Sequence, residues 1–382
     1  MRFGRVIAAT ALCLMFVAPG WCRAPRRFME AEAEGAALHY VGNVPIAILS
    51  GTPDEIGRQH AALMSEQARV VLTVPRRFAA EFGVEFLWPV MTAAGSMLMQ
   101  NAPRSHSAEL AALAEAGKLD AGELAVGNTL LELRRVGCSA LIVDAERSAE
   151  DGPLFGRNFD FPALGVLDQY SVVLIVRPNN RRAFASVTFP GAIGVFSGMN
   201  DAGLAVATLD VYRSADGSLK FDAAGVPLAM VFRRILEECA TVAEAEALLQ
   251  SVKATTWMNL AVCDPESSAV FEITPKSTAR RDSTEGLLAC TNHFRTSEKA
   301  VDSNCWRYPR LCSISPSARL TIDDVQDRLH SANQGELTLQ TMVFQPRQLT
   351  LHLALGSPPT SDDALQRIDL APLFAPVPVV AR

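Results

Sequence analysis

An α+β fold, with antiparallel sheets and helices stacked on their faces, is predicted by three features of this 382-residue sequence. The stretch before residue 137 reads as mostly helical. Short strand-like runs crowd the region after Cys138. Two helices in series split those runs into two blocks, and strand block, helix pair, strand block is the order that layered sheets and helices produce. Hydrophobic residues make up 49% and charged residues 20%, enough for a real core in one large domain or two medium ones. With that charged fraction and a net charge of -6, nothing suggests a disordered tail or a nucleic-acid surface.

The elements follow in order. Arg2 and Arg5 precede the apolar stretch Val6 to Ala18, then Pro19-Gly20 and a small residue at Ala24. This is the layout of a secretory signal peptide over residues 1–24, and it predicts a periplasmic or secreted protein. The apolar run is shorter than the ~20 residues a spanning helix needs. Bulky Trp21 before Cys22 argues against a lipoprotein. Losing the segment removes Arg2, Arg5 and Arg23 and no acids, taking the net charge from -6 to -9. Anionic membranes and nucleic acids are poor partners for such a surface.

Residues 25–137 follow as an N-terminal region packed on, or part of, the main fold. Leu38–Val41 and Ile46–Leu49 read as strands around Gly42-Asn43. Thr52-Pro53-Asp54-Glu55 combines an N-cap, a first-turn proline and a capping-box glutamate, and it opens a helix with Ile56, Leu63 and Val70 on one stripe. Asp120-Ala-Gly-Glu123 repeats the pattern and opens a helix through about Leu133. Beyond Cys138, strands are predicted at 171–176, 183–188, 192–196 and 204–208. Helices open at Pro227 and Thr241, and strands resume at 258–262, 269–273 and 286–290. A helix capped by Thr321 precedes a hairpin joining 341–344 to 349–353, and the tail from Pro358 is expected to wrap the surface.

Gly137-Cys138 is the most telling junction. Cys138-Ser-Ala-Leu-Ile-Val143 and Gly156-Arg157-Asn158-Phe159-Asp160 flank a polar loop ending in Gly152, which reads as a hairpin. Pairing about its centre sets position 138 opposite roughly 158 and brings Arg157 and Asp160 near the thiol. A thiol with a cation and a carboxylate at hand is the makings of a nucleophilic site. The plainer reading is a buried core cysteine beside an ordinary hairpin ion pair. Three residues apart, Arg157 and Asp160 face opposite ways unless the strand bulges. Gly198-Met-Asn200-Asp-Ala-Gly203-Leu and Thr291-Asn292-His293-Phe294 end strands or open turns. Their asparagines are either turn residues or oxyanion donors.

Eight cysteines are present, and Cys13 and Cys22 fall in the leader. The other six, Cys138, Cys239, Cys263, Cys290, Cys305 and Cys312, show no zinc-site spacing. In an oxidising compartment some of them can pair, with Cys305 and Cys312 closest in sequence; the connectivity stays open.

Together, Gly137-Cys138, Gly-Arg157-Asn-x-Asp160, Asn200-x-x-Gly-Leu and Thr-Asn292-His-Phe resemble the N-terminal-nucleophile hydrolases related to choloylglycine hydrolase. Thr-Asn-His-Phe and the segment Gly51-Thr-Pro-x-Glu-x-Gly57-Arg-Gln-His60 resemble most closely the branch containing the acyl-coenzyme A:6-aminopenicillanate acyltransferase. The likeness runs from about residue 38 to about 372. It implies a four-layer αββα sandwich with a catalytic domain over 138–382, preceded by a pro-region over 25–137.

The resemblance further implies that the Gly137–Cys138 bond is cut by the chain itself, leaving Cys138 as a new N-terminus. The freed α-amine, with an ordinary pKa of roughly 7.7–8.0, then serves as the local base. Arg157 would lie beside the thiol, and Asp160 would hold the amine. The Asn292 side chain and the Asn200 backbone N–H would bind the oxyanion. Arg307 matches the family's later arginine, with Arg310 as the fallback and Glu272 as a weaker supporting carboxylate. Cys305 and Trp306 match nothing in the pattern. His60 and His293 read as packing or hydrogen-bonding residues rather than acid–base groups.

The expectation is an exported cysteine amidohydrolase or acyltransferase acting on a small linear amide, with no metal or organic cofactor. Two alternatives stand against it. A papain-like protease would place its cysteine at a helix start and need a histidine base, whereas Cys138 opens a strand. A non-catalytic binding protein would have no reason to break at Gly137–Cys138.

Overall fold

The computed structural model describes residues 27–129 and 137–375. The leader and the predicted helix end near Leu133 lie outside those residues. Two sheets carry the fold. The larger has the spatial order β1 (Ala31–Ala33), β2 (Ala36–Val41), β3 (Val44–Gly51), β6 (Val172–Pro178), β7 (Phe184–Thr188), β8 (Ser197–Asn200), β9 (Ala205–Asp210), β10 (Met258–Cys263), β11 (Ser268–Ile273) and β12 (Thr278–Arg281). The smaller runs β13 (Leu287–Cys290), β4 (Gly137–Val143), β5 (Leu154–Asp160), β14 (Thr338–Gln345), β15 (Thr350–Leu355) and β16 (Gln366–Asp369).

The sheets meet face to face, with β4 against β9, and bury one continuous apolar core between them. Helices α1 (Pro53–Glu81), α5 (Leu228–Glu238) and α6 (Val242–Ser251) pack on the larger sheet. Helices α7 (Arg307–Cys312) and α8 (Ile322–Ser331) pack on the smaller one over a separate apolar cluster. The result is the expected α+β sandwich of four layers, αββα. Gly156 of β5 has α8 directly upon it, and a Cβ there would overlap Val325 and Leu329.

The pairing departs from expectation at one place. Among the described residues all strand pairs are antiparallel except β3 and β6, which run parallel over six residue pairs from Ile46↔Val173 to Gly51↔Pro178. Parallel neighbours need a long crossover. Here residues 52–171 provide it, holding α1, α2 (Trp88–Met99), α3 (Arg104–Gly117), α4 (Ala121–Asn128) and the β4–β5 hairpin. The N-terminal region is therefore woven into the larger sheet, with α3 and α4 packed on α1.

Local signals explain the elements well. Thr52 and Glu55 form the capping box of α1, and Thr321 and Asp324 form that of α8. Ile56 and Leu63 are buried, but α1 breaks its helical backbone at Met64, and Val70 beyond the kink is only half-buried. The strand predicted at 192–196 is a loop. Its N–H groups turn to helices: Val195 N–H donates to Ala229 O (3.0 Å) and Ile193 N–H to Asn128 Oδ1 (2.8 Å). The tail does more than wrap, because Gln366–Asp369 adds an edge strand to β15 before the short helix α9 (Ala371–Phe374). Among the described residues no helix is long and apolar enough to cross a membrane.

Candidate active site

The β4–β5 register pairs Gly137 with Asp160, Cys138 with Phe159 and Ala140 with Arg157. This is one residue from the predicted pairing. Alternation then puts Arg157 and Phe159 on the face of Cys138, with Asp160 beside the backbone of Gly137. The expected irregularity exists, but it lies in the neighbouring strand. β14 slips register between Thr338 and Gln340, opposite Asp160 and Phe159.

Around Cys138 the structure gathers five side chains that are all buried: Cys138, Arg157, Asp160, Asn292 and Arg307. Arg157 Nη2 lies 3.5 Å from Cys138 Sγ, and its Nη1 donates to Thr208 O at 2.5 Å. Cys138 N–H donates to Asn292 Oδ1 (2.8 Å), which also accepts from Arg307 Nη2 (2.8 Å). Asn292 Nδ2 donates to Asp210 O (2.7 Å), and Arg307 Nη1 donates to Cys138 O. The acceptor Asp210 O, like Thr208 O, comes from β9 of the opposite sheet, so the site is assembled across the sandwich. Asn259 fixes the loop that carries Asn292, donating to Thr291 O and His293 O at 2.9 and 3.0 Å.

Asp160 is held by two groups with no local sequence signal. Gln334 Nε2 donates to Oδ2 at 2.6 Å and the Thr338 hydroxyl to Oδ1 at 2.7 Å, while Arg307 Nη1 stands 3.9 Å away. Burial pushes the Asp160 carboxyl above its ordinary value, against those two hydrogen bonds and the charges of Arg307 and Arg157. Burial also pushes the Cys138 thiol up. Arg157 pulls it down, Asp160 pushes it up, and the Asp160 N–H and Arg307 favour the thiolate, with a net rise.

Asn200 requires a correction, because the structure does not bring it to the cysteine. Its N–H donates to Leu204 O (3.0 Å), and its side chain closes the β8–β9 turn and binds Leu236 O and Cys239 O of α5 and its cap. At ~3.3 Å per residue, this turn is over 10 Å along β9 from the Thr208–Asp210 end that meets the site. Gly203, with φ +81°, completes the turn. The turn reading of that motif was the right one. Asp210, further along the same hairpin, is the residue that reaches Asn292.

Arg307, not Arg310, faces the site; Arg310 stacks on Trp306 and donates to Ser331 O. Glu272 supports the site at one remove. It accepts from the N–H groups of Arg295 and Thr296 just past Asn292, and from Arg281 Nε. His60 packs in the N-terminal helices and accepts from Gly191 N–H at 3.0 Å; burial lowers it to about 4. All six described cysteines are free, Cys305 and Cys312 included.

Two hollows flank the constellation. A narrow slot of about 60 Å³ is walled by Phe159, Phe161, Phe189 and Phe196 from the main fold and by Val71, Leu72, Val74 and Pro75 of α1. A polar cavity of about 530 Å³ is lined by Tyr212, Arg213, His293, Cys305, Arg307 and Gln334, among others. In its wall the Cys305 thiol is pushed up by burial, but hydrogen bonds with His293, Thr291 and the Tyr308 N–H, with the Arg307 charge, bring it down to about 6.

A nucleophile opening an inner strand of a four-layer sandwich, with its own main-chain nitrogen in the polar cluster, is the arrangement of an N-terminal-nucleophile enzyme. The model of the acyl-coenzyme A:6-aminopenicillanic acid acyl-transferase family matches residues 147–360, more than half of the sequence. The chain belongs to this family, whose members are amidohydrolases and acyltransferases. An uncharacterised protein of Archaeoglobus fulgidus is 22% identical over 235 residues, covering 52% of this chain and 38% of that protein. The chain thus spans well under half the length of that relative.

Solved structures that superpose in part include a Caenorhabditis elegans ortholog of N-acylethanolamine-hydrolyzing acid amidase (TM-score 0.45, 16% identity, 60% of this chain and 100% of that one). A mutant of conjugated bile acid hydrolase from Clostridium perfringens is another (0.43, 14%, 63% and 95%). Penicillin V acylase from Agrobacterium tumefaciens is a third (0.40, 16%, 57% and 83%).

Proposed function

We propose that this chain is an exported, self-processing cysteine amidohydrolase or acyltransferase that cleaves a linear amide through a thioester at Cys138. One observation carries the reading: the Cys138 thiol lies beside Arg157 while its main-chain N–H and C=O are both gripped, by Asn292 and Arg307. Any buried backbone needs partners, but here two polar side chains supply them, and the nitrogen of an N-terminal nucleophile is part of the chemistry.

Maturation begins when Cys138 Sγ attacks the Gly137 carbonyl carbon. The C–N bond breaks, the amine takes the thiol proton, and a Gly137–Cys138 thioester forms. Water then splits the C–S bond, leaving a Gly137 carboxylate and a free thiol. In turnover the new α-amine takes the thiol proton. The thiolate, favoured by Arg157, attacks the substrate carbonyl, and the Asn292 side chain supports the oxyanion. The leaving amine departs with the proton, and water or an acceptor amine resolves the acyl-enzyme. Asp160 and Asn292 hold the α-amine. The slot beside Phe159 suits a slender apolar acyl group, and the polar cavity suits the amine.

Expression of residues 25–382 with intact-mass and N-terminal sequencing tests the first step. A fragment beginning Cys-Ser-Ala-Leu, absent from Cys138→Ala, is expected. The second step is tested by release of amine from N-acyl amides graded in acyl bulk. A wild-type chain intact at every pH sinks the reading, as does full turnover by Cys138→Ala.

A further inference from the structure

Gln334 has no place in the chemistry above, yet it touches three parts of the site. Its Nε2 donates to Asp160 Oδ2 (2.6 Å), and its main-chain N–H donates to the Thr338 hydroxyl (2.9 Å), which in turn donates to Asp160 Oδ1 (2.7 Å). One residue thereby aims both donors at both carboxylate oxygens. Its amide also lies flat against Gly137, so that a Cβ built on Gly137 would overlap Gln334 Nε2. The other side of Gln334 lines the polar cavity.

Gly137 is the first residue of β4, opposite Asp160, and the lack of space beside it is what favours glycine there. Any side chain at 137 must push the Gln334 amide aside, and that amide cannot move without leaving Asp160. The residue before the cut and the carboxylate beside it are thus mechanically coupled through one side chain.

We propose that Gln334 is a positioning residue for self-cleavage, clamping the Gly137 backbone against Cys138 while it orients Asp160, and that this clamp restricts position 137 to glycine. The proposal rests on the self-cleavage reading. The groups facing Asp160 are Gln334, Thr338, Arg307, Arg157 and Cys138. Removing Gln334 takes away one of the influences that lower the Asp160 carboxyl, so the acid limb of the cleavage profile moves to higher pH.

The test is a double-mutant cycle on the cleavage rate of the full chain, followed by gel and intact mass across pH. Gly137→Ala is expected to slow cleavage by about tenfold or more, the scale of one hydrogen bond to a charged group. Gln334→Ala slows it by a similar factor and shifts the acid limb upward. The double variant should be no slower than Gln334→Ala alone, because alanine at 137 then has room. The same cycle on melting temperature in a Cys138→Ala background reads the contact without cleavage, and it shows whether each variant folds. Wild-type cleavage with Gly137→Ala equally fast, or with the two penalties simply multiplying, overturns this proposal alone. A wild-type chain that never cleaves overturns it together with the reading it rests on.

Discussion

Two buried clusters of charge in this molecule use nearly the same parts and balance them in opposite ways. Under the helical layer, Arg233 of α5 is saturated by carboxylates. It meets Glu109 of α3 at 2.5 and 2.8 Å and Glu237 at 2.7 Å, and Glu237 in turn meets His106 at 3.0 Å. Burial works against the Arg233 charge, but Glu109 and Glu237 outweigh it and hold the guanidinium above its ordinary value. At the other cluster, Arg157 faces a thiol and a carbonyl, and its Nε has no hydrogen-bond partner among the described residues. Burial pulls Arg157 below its ordinary value. A buried cation that is fully paired fastens helices together. One left facing neutral acceptors is positioned to stabilise charge that appears only during a reaction.

The contrast can be broken most sharply at Arg233. Arg233→Met strands two buried carboxylates and should cost about 3–5 kcal/mol, or on the order of 10 °C in melting temperature, by calorimetry. Any mature chain that survives should keep its turnover number. Arg157→Met reverses the pattern, lowering amide turnover by roughly 10²–10³-fold with a much smaller shift in melting. Equal damage to stability from both variants would erase the distinction.

A smaller effect comes from acid. Glu237 is pushed up by burial, yet Arg233 and His106 bring it down to about 2 from an ordinary 4.5. Its contribution to stability is present above pH 4.5 and lost as pH falls toward 2. His60 is lowered by burial, and then by Arg233, to about 4 from 6.5, so its contribution is lost as pH falls from 6.5 to 4. Melting temperature should therefore fall in two stages below pH 6.5, and His60→Gln should remove the first.

The least effect is a labelling preference. Burial raises Cys138, Cys239, Cys263 and Cys290, whereas Cys305 stands at about 6. Brief iodoacetamide treatment at pH 7 should alkylate Cys305 first in Cys138→Ala, as peptide mass mapping would show. First labelling at Cys239 would contradict the environment described.

What the sequence made legible follows from the range of each physical signal. Capping boxes at Thr52 and Thr321 act within one turn and are readable as they stand. The hairpin placing Arg157 and Asp160 beside Cys138 is set by one short loop, and its register was missed by a single residue. Direction is harder: β3 and β6 look like any apolar strands, and nothing within either says they run parallel. Asn200 misled because the pattern that resembles an oxyanion donor is also a tight turn with a left-handed glycine. Gln334 and Thr338 stayed invisible because they reach Asp160 from the start of β14 and the loop before it, about 175 residues on, which leaves no periodic trace. Both hollows arise between elements remote in sequence, so no motif announces them.

The parallel ladder between β3 and β6 has a consequence for timing. It joins strands on either side of Gly137. Cleavage there would divide one polypeptide into two that remain interleaved in a single sheet. Folding before the cut is unimolecular, but reassembly after it would depend on concentration. Because the site is complete only when β4, β5, β9 and β14 have met, such a cut would wait for a finished sandwich. The cut would then act as a one-way ratchet: the mature enzyme, once unfolded at high dilution, would have no efficient route back.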